Sequence, residues 1–109
     1  MERIPDNGPI ISDLEDMVEF ARDGIVSKTI LEMEFTKVTL FCMSSGQSLS
    51  EHTASLPAIV HILNGEGKFT LGDESHNVKK GKWIFMPANL KHAVKAEEDL
   101  VFLLTLFKA

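Results

Sequence analysis

The chemistry available to this sequence rests on four histidines, His52, His61, His76 and His92, and on a single cysteine, Cys42. An imidazole can ligate a metal, carry a proton or anchor a polar ligand near neutral pH, so surroundings decide which. One cysteine excludes an intrachain disulfide and any cysteine-based zinc cluster. Hydroxyls at Ser44, Ser45, Ser48 and Ser50 precede His52, but no Ser-His-Asp arrangement with a base in reach can be assembled, which sets aside a hydrolase triad. Gly65-Glu66-Gly67 precedes no helix that could receive an anion, so it reads as a turn between strands. His76, within GDESHNV, reads as a solvated turn residue.

Composition narrows the classes further. The chain has 109 residues, 44% hydrophobic and 25% charged, with a formal net charge of −5. That length gives one domain, large enough to fold alone. An acidic chain with scattered lysines, clustered only at Lys79, Lys80 and Lys82, lacks the basic surface that phosphate backbones require, so no nucleic-acid partner is expected. MERIPDNGPI has no basic stretch followed by an apolar one, so no signal peptide is expected. The longest strong apolar run is Leu100–Phe107, far short of the ~20 residues of a membrane span. A cytoplasmic protein with no membrane partner is the expectation.

The elements that would position the histidines are nearly all strands. Residues 1–24 form an arm and the start of a hairpin, and residues 25–109 form the barrel domain. Ser12-Asp13-Leu14-Glu15 has capping-box spacing and predicts a short helical turn. Arg22-Asp23-Gly24, between apolar runs, predicts a hairpin turn preceded by a strand at Met17–Phe20. From Ile25 onward, short branched or alternating runs broken by Gly, Pro and Asp predict an all-β barrel or sandwich. In TKVTLFCM the sets Val38/Leu40/Cys42 and Thr39/Phe41/Met43 point opposite ways, and only one set can face a given core. The last strand, LVFLLTLF, is apolar on both faces. A subunit interface is the simplest cover for its outer face, which predicts a homodimer.

With the strands placed, the spacing of glycines and histidines resembles the two motifs of the cupin superfamily. Gly46, His52, positions 54 and 58, and Gly65 stand at the spacing of the first motif. Gly81, Pro87 and His92 match the second, with Asn89 where a turn glycine is usual, a swap that a left-handed backbone accommodates. The resemblance covers about residues 25 to 107 and is to small single-domain bacterial cupins. It implies a double-stranded β-helix, or jelly-roll barrel, behind the short helical turn. It also implies that His52 and His92 occupy the first and last metal-ligand positions, with Ala54 and Ala58 in place of the second histidine and the glutamate. A methyl group has no electron pair to donate, so two imidazoles leave zinc or non-haem iron short of its usual protein ligands.

His61 could replace a lost ligand only through a bulge between 58 and 61, because strand parity otherwise turns it away from a barrel in which position 58 faces inward. A pocket at the barrel mouth is expected to be mostly apolar, drawn from Phe41, Met43, Ile62, Met86 and Leu104. The leading expectation is a homodimeric module that binds a small molecule beside His52 and His92. The competing one is a metal-dependent isomerase or dioxygenase, with Zn, Fe, Ni or Mn held by the same two histidines. The cofactor is thus either a divalent transition metal or none.

Overall fold

A computed structural model describes residues 8–108, and among these the regular structure is one 3-10 turn and nine strands. The 3-10 turn spans Leu14–Met17; the strands are β1 (Ile25–Glu32), β2 (Thr36–Met43), β3 (Ser48–His52), β4 (Ala58–Asn64), β5 (Glu66–Leu71), β6 (Glu74–Lys79), β7 (Trp83–Met86), β8 (His92–Ala96) and β9 (Leu100–Phe107). They form a five-stranded sheet in the order β1-β2-β9-β4-β7 and a four-stranded sheet in the order β3-β8-β5-β6. All pairings are antiparallel. The two sheets make an all-β double-stranded β-helix, as the motif spacing implies.

Alternation decides what each face of the large sheet does. In β9, Leu100, Phe102, Leu104 and Leu106 pack toward the barrel interior, with Met43, Ala58, Val60, Ile62, Phe69 and Val94. The intervening Val101 and Leu103 join a second cluster on the outer face, with Leu40, Cys42, Val26 and Ile30. Met17 and Val18, from the N-terminal arm, cover that cluster. This bears on two sequence expectations. Both sets of β2 face a core, because the sheet has one core on each side. The doubly apolar β9 is covered on its outer face partly by the chain's own arm, so it does not by itself require a second subunit. Each large apolar side chain withdrawn from water on either face contributes roughly 1.5–3 kcal/mol before entropy is counted.

The arm differs from its prediction. Residues Val18–Ala21 are not a strand, so the expected hairpin is absent, although Asp23 has φ 51 and the amide of Gly24 bonds the carbonyl of Ala21 at 3.2 Å. The turn forms, but it leads from an arm lying across the sheet. The cap of the 3-10 turn is Asp13, without a side-chain cap bond, where the spacing had favoured Ser12. Lys28 ties Glu19 of the arm to β1 at 2.9 Å. Its hydrogen bond and charge hold the exposed Glu19 carboxyl below the ordinary carboxylate value.

Candidate functional site

β3 and β8 bring His52 and His92 together. Leu49 pairs with Val94 and His52 with His92, so the register slips by one residue between Leu49 and His52. Leu49 packs against the interior core. Three positions later, His52 would point to the opposite face of a regular strand; the irregularity returns it to the side of its partner. The two rings lie 4.2 Å apart between centroids, inclined at 62°.

Each ring is held by the backbone carbonyl two residues before it. His52 Nδ1 lies 2.7 Å from the carbonyl of Ser50, and His92 Nδ1 lies 2.9 Å from the carbonyl of Leu90. A carbonyl only accepts, so the proton is assigned to Nδ1 in both rings. In the neutral rings Nε2 then carries the free lone pair, the arrangement that backbone carbonyls also impose on metal-binding histidines.

Beneath the pair is a cavity of about 100 Å³, lined by His52, Ala54, Leu56, Ala58, Met86, Pro87, Leu90, His92, Leu104 and Leu106. Its shape follows from small side chains where the barrel opens. Ala58 pairs with Met86 on one side and Leu106 on the other, and its methyl group leaves space that a longer side chain would fill. Leu90 follows Asn89, whose φ is 67 and whose amide bonds the carbonyl of Ala54 at 2.7 Å. The left-handed turn expected at Asn89 is present, and it clips the β7–β8 connection to the β3–β4 loop.

Of the pocket residues expected from sequence, Met86 and Leu104 line this cavity. Phe41, Met43 and Ile62 do not and belong with the interior core. This placement has a simple cause in register. Ala58 lies level with Leu106, Val60 with Leu104, and Ile62 with Phe102. Phe102 stacks on Phe41 at 5.1 Å and meets Phe69 edge-on at 5.4 Å. These rings fill the barrel at that level, so the cavity ends above them. Sequence reasoning missed Leu56, Leu90 and Leu106 as lining residues; inward parity in β9 would have found Leu106.

His61 is exposed on β4, level with Trp83 and Leu103, and the β4–β7 register is unbroken from Ala58 to His61. His76 is exposed on β6, with Glu74 at 3.7 Å. Neither approaches the cavity lining. A larger depression of about 640 Å³, lined by Ser45, Asn64, Gly65, Glu66, Lys79, Lys80, Glu98 and Asp99, lies at the other end of β4. It is wide and shallow and mixes both signs of charge, so it offers no focused chemistry.

A domain model described as Cupin domain matches residues 39–106. Together with the fold and both motif frames, this places the chain in the cupin family. The chain is similar to a crystal structure of a conserved protein of unknown function from Streptococcus pyogenes, 30% identical with a TM-score of 0.83, covering 95% of this chain and 91% of that one. It also resembles a cupin 2 conserved barrel domain protein from Leptotrichia buccalis, 38% identical with a TM-score of 0.80, covering 86% of this chain but 46% of that one. An uncharacterized protein of Methanocaldococcus jannaschii is 28% identical over 86 residues, 75% of this chain and 73% of that protein.

The cupin frame raises the question of a divalent metal, and the residues at the frame positions do not fit one. Ala54 and Ala58 supply no donors, and among the described residues no group of three or more His, Cys, Asp and Glu side chains could hold a metal ion. Zinc or non-haem iron bound here would depend on two protein nitrogens.

Proposed function

We propose that this chain is a small-molecule-binding cupin, whose ligand enters the cavity at the barrel mouth and meets His52 and His92 at its polar end. The supporting observation is the combination in one place of two imidazoles, each with Nδ1 fixed on a carbonyl, and an otherwise apolar lining. Two free Nε2 lone pairs accept hydrogen bonds, so the matching ligand carries a donor such as a hydroxyl at one end and a short apolar body at the other. The volume limits its size. About 100 Å³ accommodates roughly three waters or a few non-hydrogen atoms unless the β3–β4 loop shifts. An NMR titration with short alcohols and phenols tests the reading. Shifts should concentrate at residues 52, 54, 58, 86 and 92 and vanish in His52→Ala. Shifts confined to other surfaces would contradict it. The metal-dependent isomerase or dioxygenase reading has less support, since its ligand set is half replaced by alanine.

A cytoplasmic homodimer completes the proposal, with its contact moved from β9 to β7. Trp83 and Phe85 are 59% and 51% exposed on the outer face of this edge strand, level with His61 and Ile59 of β4. Large aromatics side by side on an exposed sheet face support a subunit contact. Light scattering should give twice the chain mass for the parent and the monomer mass for Trp83→Ser/Phe85→Ser. A monomeric parent would remove this part of the proposal.

A further inference from the structure

A second cavity lies outside the barrel, between the N-terminal arm and the outer face of the large sheet. Its volume is about 490 Å³, within the roughly 300–1,000 Å³ of pockets that take small molecules. Val101 and Leu63 of the outer cluster form its floor, and Leu14, Val18 and Phe20 of the arm form its wall. Val101 is 2% exposed, whereas Phe20 is 38% exposed. The arm thus shields the sheet but leaves an aromatic ring beside an open cleft. Three polar side chains complete the lining: Glu15 from the 3-10 turn, Asn64 at the end of β4 and Lys80 in the turn after β6. Ion pairs among the described residues are Lys28–Glu19, His76–Glu74 and Lys108–Glu32, so neither Glu15 nor Lys80 is paired. We propose that this cleft binds a zwitterion with a large apolar body, the chemistry of an apolar amino acid or a dipeptide.

Charge complementarity selects the ligand. One ammonium and one carboxylate come to the same cleft from different elements without meeting each other. A carboxylate on the ligand accepts from Lys80 and from the Asn64 amide, and an ammonium on the ligand donates to Glu15. The apolar body between them covers Leu63 and Val101 against Val18 and Phe20. A ligand with a single charge leaves one of the two protein charges against apolar atoms. The wide depression at the other end of β4 shares Asn64 and Lys80, but no apolar side chain lines it. None of the cleft's residues lines the cavity at the barrel mouth, so this site is additional to the ligand cavity beside His52 and His92.

The test is an NMR titration with L-phenylalanine and, separately, with the dipeptide leucylphenylalanine. Saturable shifts are expected at residues 14, 18, 20, 63 and 101, and the probe that binds more tightly identifies the source of the zwitterion. Phenylpropionate, which lacks the ammonium, and phenethylamine, which lacks the carboxylate, should each bind about tenfold more weakly. Lys80→Met and Glu15→Gln change exposed side chains and should fold normally. Each is expected to weaken the tighter probe about tenfold. Lys79→Met, next in the chain but outside the lining, should leave that affinity unchanged. No saturable shifts with either zwitterion, equal binding of the singly charged analogues, or the same loss in Lys79→Met would each overturn the proposal. Failure here leaves the alcohol and phenol titration at the barrel mouth untouched, because the two sites share no residue.

Discussion

Two levels of the same barrel, built from the same strands, do different work. At the level of Ile62, the interior is closed by Phe102, Phe41 and Phe69 in ring contact. At the level of Ala58, the interior is open and edged by Met86, Leu106 and the two histidines. Both levels obey the same inward alternation along β4 and β9. What differs is side-chain volume, and it separates a floor that holds the sheets together from a mouth that can accept a ligand.

That contrast can be broken from either side. The largest expected effect is at the floor. Phe102→Ala removes a ring 3% exposed that touches two other aromatics, and should cost about 3–5 kcal/mol in urea unfolding. A loss near 1 kcal/mol would mean the floor is not closely packed. A smaller effect on stability, but a complete one on binding, is expected from Ala58→Val. The added methyl groups enter existing space, so stability should stay within about 1.5 kcal/mol of the parent while NMR shifts from alcohols and phenols disappear. Retained binding would place the ligand elsewhere. Smallest of all is the stability change in His52→Ala, expected within about 0.5 kcal/mol because the ring is exposed at the mouth. Its effect should appear only in binding, and a large loss of melting temperature would recast His52 as a structural residue.

How much of this was legible in the sequence follows the same division. The glycine and proline frame from Gly46 to His92 was readable because its spacing is set by turns. Gly65 has φ +85, and a Cβ there would meet the Asp99 carbonyl oxygen at 1.9 Å, so only glycine serves. The β3 strand was not readable as a strand, and neither was the slip that turns His52 inward. A one-residue irregularity leaves no mark in SLSEH beyond its polarity. The false hairpin at Met17–Phe20 arose because an apolar arm covering a sheet has the composition of a strand. Parity gave which residues face inward, but not the depth at which the barrel closes. That is why Phe41, Met43 and Ile62 were expected around a pocket that ends above them. Met86 was expected as an apolar lining residue and lines the cavity beside the two histidines.

The most direct test is the metal content of protein purified without chelators and without a histidine tag. With Ala54 and Ala58 in the frame, the prediction is less than about a tenth of an equivalent of Zn, Fe, Ni or Mn per chain, unchanged by His52→Ala. One full equivalent of any of these metals, lost in both His52→Ala and His92→Ala, would contradict the reading of the site as a ligand cavity that lacks a divalent centre.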